Sequence, residues 1–162
     1  MSTETEPTTG VGRATERASV KGGVVAGLAG TVVMGVLMWI MNDAVIAVAI
    51  PALYGQAPPP SPGVGWVAHL FHGAVFGAVF AGLLRLDALS DAADNLPKSA
   101  GLGVGYGVVV WVVAAALVMP LWLQAVGFPG APPFPNFAIP SLLWHAVFGL
   151  VLGAVYPFVS DL

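Results

Sequence analysis

The chain contains no cysteine, which excludes disulfides, thiolate nucleophiles, cysteine-ligated iron–sulfur clusters and thiolate zinc sites. It is also poor in charge. Only 8% of its residues are Asp, Glu, Lys or Arg, against about a quarter in an average soluble domain. Its five Lys and Arg form no basic stripe interleaved with aromatics, which argues against nucleic acid as a partner. Recognisable catalytic signatures are missing too: there is no HExxH, no nucleophile elbow, and no carboxylate pair at neighbouring positions of a predicted helix. The glycines of residues 27–30 lie inside an apolar run, without the strand-to-helix context of a phosphate loop. An enzyme is the weaker class.

What the chain does have is apolar residues, 57% of the total. They fall in four long runs, at about residues 22–50, 64–84, 99–126 and 137–159. Each is long enough to cross roughly 30 Å of hydrocarbon as a helix. Their β-branched content is high, but open sheet edges are not tolerated in lipid, and continuous apolar runs lack the alternation of a barrel strand. The expected fold is therefore all-α, an integral membrane four-helix bundle occupying residues 20–162. Residues 1–19 are rich in Ser, Thr and Glu and read as a disordered polar tail.

The connectors predict an orientation. Residues 57–63 and 127–136 are uncharged and proline-rich, whereas Arg85 and Lys98 flank the middle loop and Arg13, Arg17 and Lys21 precede the first run. The positive-inside rule then puts both termini and the middle loop in the cytoplasm of a plasma (inner) membrane protein, with both proline-rich loops outside. Trp39, Trp66, Trp122 and Trp144, one per run, fall toward the outer ends as an interfacial belt, with Trp111 near mid-span. Pro51 is expected to end or turn the first helix, and Pro120 to kink the third or free a carbonyl near its outer end.

An internal repeat is visible. A shift of 76 residues sets His69, Gly73, Gly77, Ala78 and Val79 on His145, Gly149, Gly153, Ala154 and Val155. A shift of 80 sets Gly23 and Gly27 on Gly103 and Gly107. Two duplicated helical hairpins, with about one helical turn of difference inside the unit, account for both. Two-span units keep their membrane orientation, so the halves are expected to be related by a pseudo-two-fold along the membrane normal. Gly23/Gly27, Gly73/Gly77, Gly103/Gly107 and Gly149/Gly153 each put two glycines on one helix face, the pattern of close helix packing. The same smooth faces also suit clearance for a flat cofactor or contact with a second copy, so a homo-oligomer or larger membrane complex stays open.

The polar residues gather at the outer ends: Asn42 and Asp43, His69 and His72, Gln124, and His145. Ionisable groups within spans mark function, an expectation that weakens near the interface. Three chemistries fit. His69, His72, His145 and Asp43 offer nitrogen and oxygen ligands to a divalent metal. His69 and His145 alone offer the axial pair of a b-type haem. An Asp43/histidine couple offers a proton or ion relay, because histidine titrates near neutral pH.

The order of these runs resembles the small four-span YagU-like inner-membrane proteins of bacteria and archaea. The features that carry the resemblance are the small-residue-rich first run, a second opening at Trp66 with His69, His72 and Gly77, and the corresponding fourth. That resemblance implies an integral membrane protein linked to envelope stress and identifies no substrate. The functional expectation is a structural or accessory membrane protein with an outward-facing metal or haem site; the alternative is a small transporter or ion conductor.

Overall fold

The computed structural model describes residues 18–162. Residues 1–17, which hold most of the expected tail together with Arg13 and Arg17, lie outside that range. Ala18 and Ser19 belong to the bundle: Ala18 is buried, and Ser19 caps the first helix by accepting from the Gly22 N–H.

Four apolar helices are long enough to span: Val20–Asn42, Pro62–Leu83, Leu96–Ala125 and Ile139–Phe158. Pro sits in the first helical turn of the second, third and fourth, where its missing N–H costs nothing. Asn95 caps the third span at Lys98 N–H as Ser19 caps the first. The first regular helix stops at Asn42, short of the expected 50. Beyond it the chain runs through a π-helical turn, Val45–Ala49, into one α-turn, Ile50–Ala52. The third span repeats this sequence of states in place, with a π-helical stretch at Trp111–Val118 before Met119–Ala125.

Proline explains both breaks. Pro51 and Pro120 cannot donate to the carbonyls four residues back, those of Ala47 and Ala116. Both carbonyls are instead capped by loop N–H groups at the far ends of the proline-rich connectors. Ser61 N donates to Ala47 O at 2.7 Å and Asn136 N to Ala116 O at 2.9 Å. In hydrocarbon an orphaned carbonyl is costly. These bonds therefore fasten each loop down onto the helix it follows, and the freed carbonyl expected at Pro120 has a partner. Gly55 (φ 66°) and Gly127 (φ 72°) start the two loops in the left-handed conformation that favours glycine.

The first span packs along the second, the third along the fourth, and the first also along the fourth. The glycine faces make the two hairpins. A methyl group built on Gly27 would lie 2.8 Å from Gly77 Cα, and one on Gly103 2.9 Å from Gly153 Cα. Both would overlap a carbonyl oxygen, that of Gly73 or of Gly149. In the same way Gly77 abuts the carbonyl of Gly23, and Gly153 that of Ser99.

These equivalences correct the expected register. A single shift of 76 residues relates both spans of each hairpin, and the caps Ser19 and Asn95 obey it too. Gly27 corresponds to Gly103, Gly23 to Ser99 and Thr31 to Gly107. The match at 80 residues paired glycines by identity, one turn out of structural register. The glycines beneath the histidines are filled by neighbouring backbone or by Thr31, which abuts Gly73. They leave no slot there for a flat cofactor.

Replacing Gly27 or Gly103 by Ala forces two backbones apart and is expected to cost about 1–3 kcal/mol. Gly82 and Gly101, which have open space around them, should accept Ala at no cost. Reversible unfolding in mixed micelles measures this, and equal stability of all four variants would contradict the contact scheme.

Candidate functional site

Strict symmetry would match the packing of the first span on the fourth with equally close packing of the second on the third. That second contact is sparse, and the side chains show why. Gly30 lets the first span approach the fourth so closely that an added methyl would lie 2.7 Å from Phe148 O. Its counterpart at 76 residues is Tyr106. This side chain is buried and reaches across to the second span, its hydroxyl donating to Phe76 O at 2.8 Å and its ring 5.4 Å from that of Phe80. A tyrosine in place of a glycine holds the second and third spans apart.

At the histidine end of the bundle the spans line a half-open cavity of about 400 Å³. The first span contributes Thr31, Met34 and Met38, and the chain beyond it Ile50, Leu53 and Tyr54. The second brings His69, His72 and Phe76; the third brings Val110, Ala114, Ala115, Met119 and Trp122. Ser141, Trp144, His145 and Phe148 complete the wall from the fourth. Among the described residues no Asp, Glu, Lys or Arg lines it.

Each histidine has a different setting. His145 donates from Nδ1 to its own helix at Ser141 O, 2.7 Å away, which places the ring proton on Nδ1 and leaves Nε2 as the acceptor. His72 is bonded through Nε2 to the Tyr54 hydroxyl at 2.5 Å. His69 is only 6% exposed, its ring edge-on to Trp66, and its Nε2 is buried without a hydrogen-bond partner. Gly35 makes room for that arrangement, since a methyl group there would meet the Trp66 ring and, at 3.1 Å, His69 Cδ2.

The expected outer cluster is therefore brought together only in part. All three histidines reach one cavity. Asp43 does not: it lies exposed just past the end of the first helix, outside the cavity wall. Among the described residues no group of three or more His, Asp or Glu side chains is placed to hold a metal ion. The set His69, His72, His145 and Asp43 is thus not gathered as one ligand group: Asp43 lies exposed, outside the wall that the histidines share. The expected relay likewise has its two members apart, the Asp43 carboxylate lying outside the cavity wall. Asn42 is exposed, and Gln124 is spent on the loop, donating to Pro132 O at 3.0 Å.

The aromatic belt is also partial. Trp39 and Trp122 are exposed, but Trp144 is buried, its indole N–H donating to Met41 Sδ at 3.1 Å. Sequence reasoning missed Tyr54 and Ser141 as partners of the histidines. Ser141 had a findable signal, lying one helical turn before His145. Tyr54 had none, because it enters from the turn after the π-helical break.

Four apolar spans around a shared core define a multi-pass integral membrane protein. No protein-family model matches the chain, and no curated protein or solved structure matches it.

Tyr106→Phe should cost about 1 kcal/mol for the lost hydrogen bond, and Tyr106→Ala about 3–5 kcal/mol as the prop between spans is removed. Equilibrium unfolding of the two variants tests this. Wild-type stability in Tyr106→Ala would contradict the structural role.

Proposed function

We propose that the protein is a membrane accessory protein that binds a small, largely apolar molecule in its histidine-lined cavity. The observation that carries this reading is the convergence of all three histidines of the chain on one space among otherwise apolar walls. Ligand sites are typically concave, mainly apolar and supplied with a few orienting polar groups, and about 400 Å³ is at the small end of their usual range. His69, His72 and His145 are the binding residues on this reading. A haem between His69 and His145 draws no support from the glycines, which are occupied by helix packing.

A second reading, transport of the same molecule, is favoured by one feature. The broken stretches of the first and third spans both line the cavity, through Val45 and Ile50 and through Ala114 and Val118. Interrupted helices beside a site are a recurring property of transporters. We also propose that the cavity end faces outward, because the described cations Lys21, Arg85 and Lys98 belong to the opposite end. In this cysteine-free chain, Gln56→Cys should react with a membrane-impermeant thiol reagent from the outer side of intact cells. Reaction only after lysis would reverse the orientation. Kinship with the YagU-like proteins remains part of the proposal and rests on the order of the spans.

Ala115→Trp fills the cavity from the third span. Organic extracts of purified wild-type protein should contain an apolar compound that the variant, folded and monodisperse, has lost. Identical extracts from the two would overturn the binding reading.

A further inference from the structure

Repetition would seat the outer part of the third span on the fourth as firmly as that of the first sits on the second. The first half is firmly seated. Val45–Ala49 and Ile50–Ala52 both pack along the second span, and Gly65 brings that helix so close that a methyl group there would overlap the Ile46 carbonyl. The residue 76 positions on from Gly65 is Ser141, and the second half has no equal contact. Trp111–Val118 touches the fourth span only lightly, and Met119–Ala125 has no extensive packing on any helix except the stretch that it continues. Trp111, Ala116 and Leu123 are buried, yet they lie outside the core that the four spans share.

Met119–Ala125 folds instead with its own connector. Phe128 N donates to Leu123 O at 2.9 Å, and Gln124 Nε2 donates to Pro132 O at 3.0 Å. Residues 119–132 therefore hold together as one unit. Among the described residues one hydrogen bond ties that unit to the chain beyond the first span, from Trp122 Nε1 to Leu53 O at 2.9 Å. Leu53 belongs to the fixed side, because the next residue, Tyr54, is bonded to His72 of the second span. The seam between the two sides is not filled: a cleft of about 200 Å³ separates Phe128 and Gly130 from Val45, Val48 and Ala49.

Met119 and Trp122 of this unit are also part of the cavity wall. Segments that share few buried contacts with the main core are the ones that open locally, and a change of helical state within a span often marks a hinge. We propose that residues 119–132 form a lid on the histidine cavity, hinged at Trp111–Val118 and latched by Trp122 to Leu53, and that its swing widens the mouth for a molecule to enter and leave. The use of the lid rests on the cavity being a binding site, as proposed above; its motion does not.

The test uses the full-length protein in phosphatidylcholine nanodiscs and exploits the absence of cysteine. Spin labels on Val67→Cys of the second span and Leu121→Cys of the lid, both exposed positions, report the lid by double electron–electron resonance. Labels on Val67→Cys and Leu143→Cys, exposed on the second and fourth spans, report the body. The lid pair should give two distances and the body pair one. Trp122→Phe keeps a ring but removes the latch donor, and should raise the ratio of the longer lid distance to the shorter about fivefold, the equivalent of one hydrogen bond. A single lid distance, as narrow as that of the body pair and indifferent to Trp122→Phe, would overturn the proposal. The comparison of the two pairs needs no latch variant to fold. Met34→Cys, buried in the cavity wall, should in turn react with N-ethylmaleimide about fivefold faster when Trp122→Phe is added. An unchanged rate would overturn the assignment of the moving unit as a lid on this cavity. Neither measurement involves a ligand, so a moving lid on a protein whose extracts hold no apolar compound defeats the binding reading alone. A fixed lid over a bound compound defeats this one alone.

Discussion

The structure depends on backbone meeting backbone. In lipid, apolar side chains gain little by leaving solvent, so helices are held by close packing and by hydrogen bonds. Gly27 against Gly77 and Gly103 against Gly153 supply that packing at equivalent points of two hairpins, where even a methyl group would collide with the partner helix. Those contacts fix the separation and register of the spans within each hairpin. They also fix the depth of His69 and His145, which lie one turn beyond the contact glycines Gly73 and Gly149 on the same helices.

The cavity opens where the repeat is broken. Two small residues of the first span, Gly30 and Gly35, stand opposite Tyr106 and Trp111 of the third. On one side of the bundle Gly30 allows intimate packing against Phe148; on the other, Tyr106 reaches Phe76 and keeps two helices apart. The prolines act together with this asymmetry. By releasing the carbonyls of Ala47 and Ala116 to the loop N–H groups of Ser61 and Asn136, they tie both proline-rich connectors to the cavity end. They also redirect the chain after the first break so that Tyr54 reaches His72. Duplication thus supplies two equivalent histidines, and divergence supplies the space between them.

The four spans and the pairing of hairpins were legible in the sequence because lipid allows so few alternatives: long apolar helices, with glycines at four-residue spacing wherever backbones approach. The equivalence of His69 and His145 was legible for the same reason. The register of the first span against the third was not. Glycine is so frequent that pairing Gly23 and Gly27 with Gly103 and Gly107 looked better than pairing Thr31 with Gly107, although backbone contact obeys the latter. Asp43 was misplaced because its position along the chain gives its depth and not its direction: it lies exposed, away from the cavity wall, and which way it faces depends on how the first helix packs. Trp144 was expected at the interface from its position along the span; its burial depends on which face the fourth helix turns inward, and here that face meets Met41.

The central claim is that histidines from two equivalent hairpins share one space. The chain has three histidines and no more, so selective ¹³C,¹⁵N-histidine labelling gives a spectrum with three imidazoles in the bilayer. Solid-state NMR with proton-driven spin diffusion should show cross-peaks between His69 and His145, with His145 in the Nδ1–H tautomer. Spectra in which the two rings show no mutual contact, or in which His145 carries its proton on Nε2, would contradict the account.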